Sequence, residues 1–325
     1  MADLKNKNIL ITGGAGFMGS HVADLLCAEN CKNIVIIDNM VRGRMANLKD
    51  AMTRYPLNVV EGDIRDKGLM ESLVKDADIV FHLAALRITQ CAAEPRAALE
   101  IMIDATYDLL ENCVELGVEK VIAASSASVY GQADDFPTNE SHNAYANRTL
   151  YGAAKAFNEG LLRSFNDMYG LDYLAFRYFN IYGPRMDIHG KYTEVLIRWM
   201  ERIKSGQPPL IFGDGKQTMD FIDIRDVARA NVLGAKSDLS DDVFNVATGR
   251  ETSLKQLGES LLDVMNAKGL GMEFGPERGV NPVQRRLAAT EKIEDALGFY
   301  PEISLAEGLA DLVKWWELEK SLEEK

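Results

Sequence analysis

Residues 9–19 read ILITGGAGFMG. The apolar run Asn8–Thr12 has the length and composition of a buried strand. Phe17–Glu29 has helical spacing, with Val22, Leu25 and Leu26 expected on one face. Gly13, Gly16 and Gly19 fall where the strand turns into the helix. Glycine allows a tight turn and a close approach of backbone to ligand. The first helical turn adds unpaired N–H groups and the positive end of the helix dipole. Strand, glycine turn and helix in this order predict a cradle for the pyrophosphate of a dinucleotide, although the spacing is GxxGxxG rather than GxGxxG.

The pattern repeats outward from this unit. Further strands are expected at Asn33–Asp38, Val59–Gly62, Ile79–Leu83, Lys120–Ser125 and Asp172–Tyr178. Helices are expected at Leu69–Val74, Pro95–Leu116 and Leu150–Tyr169. Strands alternating with helices predict an α/β fold, a doubly wound parallel sheet covered on both faces. Beyond Gly183-Pro184 the regularity weakens, and helical periodicity returns at Glu194–Lys204, Leu254–Ala267 and Leu305–Leu318. This reads as a smaller mixed α/β lobe. The expected division is 1–180, with 221–247 returning to it, and a second lobe of 181–220 and 248–325.

The 325 residues carry 36 Lys and Arg against 49 Asp and Glu, a net charge of −13, which argues against a nucleic-acid partner needing a broad basic face. The chain has no apolar run of ~18 residues, so no membrane span is expected. The N-terminus lacks a signal-peptide pattern, and a cytoplasmic protein is expected. Cys27, Cys31, Cys91 and Cys113 have no CxxC spacing and the four histidines are isolated, so no metal site is expected.

Two carboxylates and one polar pair are candidates for chemistry. Asp38 ends the second strand about twenty residues after the cradle, where a carboxylate accepts from ribose hydroxyls and repels a 2′-phosphate, favouring NAD over NADP. Arg42 and Arg44 stand nearby as possible phosphate partners. Asp63 follows the third strand and can reach an adenine edge, and Leu83, Ala84 and Ala85 close the fourth strand in residues that leave room for a cofactor. Tyr151 and Lys155 are four apart, hence on one helix face. They follow a strand ending in Ser125-Ser126. Hydroxyl, phenol and ammonium are the groups needed to move a proton on and off an alcohol. A free phenol titrates near about 10, and a neighbouring cation is expected to lower it.

TGGAGFMGSH, Asp38-Asn39, GDIRD, HLAA, SSASVYG, YGAAK, RYFNIYGPR, GDGKQTMDFIDIRDVA and NVATG together resemble an extended short-chain dehydrogenase/reductase. The resemblance is to the NAD-dependent sugar-nucleotide epimerase/dehydratase family, UDP-glucose 4-epimerase-like, and it covers nearly the whole chain. It implies a Rossmann-type NAD domain and a lobe binding a nucleoside-diphosphate sugar, in a homodimer. It places Phe17, Met18, Asn39, Arg42, Ile64, Arg87 and Tyr178 at the cofactor. It makes Ser126, Tyr151 and Lys155 catalytic, and Asn180 and Arg285 substrate-binding. Leu287 falls where pocket size is set. Met102, Leu109 and Leu110 are expected to supply dimer contacts.

Family dehydratases carry an Asp-Glu pair, and decarboxylases a Glu, just before the tyrosine that matches Tyr130. Here Ala127 and Ser128 stand there, which points to 4-epimerisation through a transient 4-keto sugar, most simply of a UDP-hexose. Dehydratase, decarboxylase, dehydrogenase and a non-catalytic NAD sensor are the alternatives. Met219 replaces an arginine that relatives use to grip the diphosphate. Arg185, Arg225, Arg278, Arg285 and Arg286 are possible substitutes, with Arg285 expected to serve.

Overall fold

A computed structural model describes residues 3–189, 194–277 and 283–323. Seven strands form the main sheet: β1 (Asn8–Thr12), β2 (Asn33–Asp38), β3 (Asn58–Glu61), β4 (Ile79–His82), β5 (Lys120–Ser126), β6 (Asp172–Tyr178) and β10 (Asp242–Val246). Their order is β3-β2-β1-β4-β5-β6-β10, and every neighbouring pair is parallel. This is the order of a dinucleotide-binding sheet, whose direction of winding reverses between β1 and β4.

The centre of strand β1, residues 9–11, is apolar because both its faces are covered. Ile9 and Ile11 join one core with Val22 and Leu26 of helix Phe17–Leu26 and Val227 and Ala228 of helix Ile224–Lys236. Leu10 points the other way, into a core with Leu109, Leu110 and Cys113 of helix Ala105–Leu116 and Leu162 and Phe165 of helix Leu150–Tyr169. Leu25 lies off the packed face of its helix and is exposed, contrary to the sequence reading.

Helix Leu150–Tyr169 has defined ends. Thr149 Oγ1 accepts from Gly152 N at 3.1 Å, and Gly170 closes it in the left-handed region at φ 73°. The expected helix Pro95–Leu116 is present with a π-turn at Glu100–Asp104. Met102, Leu109 and Leu110 are buried inside the chain, so they are not available as dimer contacts. The exposed apolar residues of these two helical segments are Leu99, Tyr107, Phe157, Met168 and Tyr169.

Two small sheets lie beyond β6. One joins β7 (Asn180–Tyr182), β9 (Thr218–Asp223) and β11 (Glu251–Ser253); the other joins β8 (Leu210–Phe212) and β12 (Glu273–Gly275). Helices Val195–Lys204, Leu254–Val264 and Leu305–Glu323 pack Trp199, Leu257, Leu261, Leu309 and Trp316 into a separate core. No helix among the described residues is long and apolar enough to cross a membrane.

Candidate active site

A cavity of about 1270 Å³ opens at the C-terminal edge of the main sheet and extends to β8 and β9. That exceeds the ~300–1,000 Å³ typical of a single ligand pocket. One end is built by the glycine turn. Gly13 adopts φ 69°, and a Cβ there would lie 2.9 Å from Ala84 Cα. A Cβ on Gly19 would lie 2.5 Å from Gly13 O. These glycines let β1, β4 and the helix close on one another and leave Gly13, Gly16, Phe17 and Met18 lining the cavity.

Asp38, Asn39, Asp63 and Ile64 line the same end. Asp38 accepts from Ala15 N at 3.1 Å and Met40 N at 3.0 Å, and burial holds its carboxyl above the usual range. Asp63 is paired with Arg65 at 2.8 Å and receives Asn39 Nδ2 at 3.4 Å, which lowers it to about 2. Arg42 and Arg87 face each other across Asp187, at 3.5 and 3.6 Å, and Arg87 also lies 3.6 Å from Glu194. Leu83, Ala84 and Ala85 form the floor.

Below that floor runs a directed chain of hydrogen bonds. Thr12 Oγ1 accepts from Leu83 N and Ala84 N, both at 3.2 Å, so its hydroxyl donates to His82 Nδ1 at 2.9 Å. His82 Nε2 is then the protonated nitrogen and donates to Thr106 Oγ1 at 3.0 Å, which donates to Met102 O at 3.0 Å. Burial beside Lys155 lowers the imidazole to about 3, so it stays neutral. Nothing in the sequence marked His82 except its place in HLAA.

Ser126, Tyr151 and Lys155 line the same cavity. Ser126 ends β5, accepts from Ser128 N at 3.1 Å, and its hydroxyl lies near enough to the Tyr151 phenol to favour the ionised form. Lys155 Nζ donates to Ala124 O at 2.5 Å and lies 6.0 Å from the centre of the Tyr151 ring. Burial pushes Tyr151 up to about 12, against the opposing effect of the nearby Ser126 hydroxyl. It brings Lys155 down to about 8. The expected lowering of the phenol is therefore outweighed in this protein by desolvation. Tyr178 stands alongside, its hydroxyl donating to Asn231 Oδ1 at 2.7 Å.

The substrate-side expectations divide. Asn180 lines the cavity and donates to Asp220 O at 3.2 Å. Arg285 does not face the cavity: its guanidinium is exposed, pairs with both Glu251 oxygens at 2.7 Å, and covers the Phe136 ring. Its neighbour Arg286 faces inward instead, lowered to about 10 by burial and near enough to Tyr151 to feel its charge. The segment runs extended, with a bridge between Thr218 and Arg285, so adjacent residues point to opposite sides. Leu287 is likewise outside the cavity lining, its carbonyl accepting from Thr138 N at 2.8 Å. Of the other candidate arginines, Arg185 lines the cavity but pairs with Asp24 at 2.7 Å, Arg225 pairs with Asp223 and Asp311, and Arg278 lies outside the described residues. Met219 lines the cavity, as do Arg198 and Arg202, which the sequence reading did not single out.

Comparison with known proteins agrees with this geometry. Residues 9–247 match the model of the NAD dependent epimerase/dehydratase family. A putative UDP-glucose 4-epimerase of Methanocaldococcus jannaschii is 34% identical over 94% of this chain and 97% of its own length. Two solved structures superpose over 97% of this chain and 99% of theirs. They are a UDP-N-acetylglucosamine 4-epimerase from Methanobrevibacter ruminantium in complex with UDP-N-acetylmuramic acid (TM-score 0.91, 38% identity) and a UDP-glucose 4-epimerase from Thermotoga maritima with UDP-glucose (TM-score 0.89, 34% identity). The glycine cradle, the carboxylate ending β2 and the serine–tyrosine–lysine group fit the cofactor that this family requires, and the chain is an NAD-dependent enzyme of the NAD dependent epimerase/dehydratase family.

Proposed function

We propose that the protein is a 4-epimerase of a nucleoside-diphosphate sugar, most simply a UDP-hexose. The observation that carries this reading is the make-up of the turn Ala127–Tyr130. Ser126 stands beside Tyr151, while Ala127 and Ser128, lining the same cavity, offer no carboxylate to drive elimination. The two UDP-sugar 4-epimerases of high structural similarity support it.

NAD, when bound, accepts and returns a hydride at the sugar. Tyr151 acts as the phenolate, taking the proton of the 4-hydroxyl as that hydride leaves, and Ser126 holds the oxygen on which charge changes. Lys155, protonated below about 8, steadies the phenolate. The resulting 4-ketose turns about its diphosphate, and Tyr151 returns a proton to the oxygen after hydride arrives at the other face. Asn180 and Arg286 are the residues placed to hold the nucleotide end of the substrate, with Arg286 supplying the charge that Met219 lacks. Gly13, Gly16, Phe17, Met18, Asp38, Asn39, Arg42, Asp63, Ile64, Leu83, Ala84, Ala85, Arg87 and Tyr178 line the cofactor's share of the cavity.

The chain is organised as a cofactor lobe carrying the seven-stranded sheet and a substrate lobe carrying the smaller sheets. It works as a homodimer through the exposed Leu99, Tyr107, Phe157, Met168 and Tyr169. All four cysteines are free, which suits the reducing cytoplasm.

The test is incubation of purified protein with UDP-glucose, UDP-N-acetylglucosamine and their dTDP- and GDP-counterparts, followed by proton NMR. A 4-epimer forming without net cofactor reduction is expected. Accumulation of only keto, dehydrated or pentose products would overturn the assignment.

A further inference from the structure

Asn158 follows Lys155 by three residues on helix Leu150–Tyr169, so both lie on one face. Its Nδ2 donates to Met102 O at 2.8 Å, which fixes the orientation of the amide. The other end, Oδ1, is buried and has no hydrogen-bond partner. Buried acceptors are seldom left unpaired, and an ordered water is the usual remedy where protein groups do not reach.

Asn158 lines a small internal chamber with Lys155, His82, Thr106, Ser125 and Glu159. Its volume, about 10 Å³, is the space that one water centre needs. Most of the polar lining is already committed. Both His82 nitrogens are bonded, Thr106 donates to Met102 O, and Ser125 and Arg177 bond the Glu159 carboxylate. Lys155 is the exception. It has three N–H donors, one of which goes to Ala124 O, and it lines both the chamber and the large cavity.

We propose that Asn158 is a positioning residue for the Lys155 ammonium, acting through one water in this chamber that accepts from Lys155 Nζ and donates to Asn158 Oδ1. The ammonium is then held on its inner side by the Ala124 carbonyl and the water, leaving its remaining N–H for the cleft. Asn158 thereby ties the π-turn at Met102 to the catalytic pair.

The inference rests on Lys155 being the catalytic ammonium, but its test needs no substrate. Lys155 is titrated by NMR in the NAD-loaded protein carrying ¹³Cε-labelled lysine, with Lys155→Met used for assignment. The charged or titratable groups facing Lys155 are Tyr151 and Glu159 on its own helix, His82 from β4 and Cys91 from helix Ile88–Ala93, with Glu159 neutralised by Arg177 of β6. Asn158→Leu and Asn158→Asp both lose the bond to Met102 O but differ at the chamber. The leucine variant should lower the Lys155 midpoint by about one pH unit, and the aspartate variant should raise it by about as much. An unchanged midpoint in the leucine variant, or the same direction in both, would overturn the proposal, since a purely structural role through Met102 moves them alike. Should the leucine variant not fold, a high-resolution crystal structure of the unmutated protein decides. Water within hydrogen-bond distance of both Asn158 Oδ1 and Lys155 Nζ supports the proposal, and a dry chamber refutes it. Epimerase activity can fail in the sugar panel without touching either outcome.

Discussion

Arg177 and Glu159 form a two-pronged ion pair directly behind the catalytic strand, Nε–Oε1 at 2.9 Å and Nη2–Oε2 at 2.6 Å, with both side chains buried. Ser125 donates to the same carboxylate, and Arg177 also donates to the Tyr130 hydroxyl and Glu140 O, each at 2.9 Å. Tyr130 in turn donates to Asn245 Oδ1 at 2.6 Å. The network ties the helix of Tyr151 and Lys155 to β5, β6 and β10, so it sets where the acid–base pair stands. Removing one partner strands the other charge in the interior. Arg177→Met should cost about 3–5 kcal/mol in urea unfolding, and combining it with Glu159→Leu should recover part of that loss. A loss near zero in the single variant would show the pair to be dispensable.

Tyr151→Phe removes the proton carrier but leaves the glycine cradle and Asp38 unaltered. Turnover should fall by about 10²–10⁴-fold while NAD is retained at unchanged stoichiometry. Substantial residual turnover would exclude Tyr151 as the acid–base group.

The neighbouring arginines are predicted to behave differently. Arg286→Ala should raise KM by roughly 10–100-fold, the scale of a hydrogen bond to a charged group worth about 1.5–3 kcal/mol. Arg285→Ala, which breaks an exposed pair with Glu251, should change KM and stability little. Steady-state kinetics of both variants on one substrate make the comparison, and a reversed order would place the diphosphate elsewhere.

Acid should destabilise the fold through two histidines. His21, buried and donating to Pro184 O at 3.0 Å, and His82 are each lowered to about 3. Between pH 6.5 and 3 the unfolded chain binds protons that the native state refuses, so stability falls as pH drops through this window. The slope is at most about 1.4 kcal/mol per pH unit for each histidine. Urea midpoints from pH 7 to 4.5 test this. The double variant His21→Gln/His82→Gln should show a flatter profile, and equal slopes would assign the acid lability to other groups.

Phe157→Glu places a charge among the exposed large apolar residues of helix Leu150–Tyr169, the others being Met168 and Tyr169. Light scattering should report a dimer for the unmutated protein and a monomer for this variant. A dimer that survives the substitution would locate the interface on another surface.

Local chemistry determines much of this protein ahead of its tertiary packing. The strand–glycine–helix unit at residues 9–19, the carboxylate ending β2 and the four-residue spacing of Tyr151 and Lys155 depend only on neighbours in sequence, and all three converge on one cavity. What tertiary structure alone decided depends on which way a side chain faces. Arg286 rather than Arg285 enters the cavity because an extended segment alternates its faces, and the bridge at Thr218 sets which residue points in. Met102, Leu109 and Leu110 are buried because the far helix layer and a π-turn absorb them, a choice that helical periodicity alone does not make between sheet and partner. The titration of Tyr151 is of the same kind: its sequence neighbours argue for a lowered phenol, but burial depth, which only the assembled fold sets, raises it.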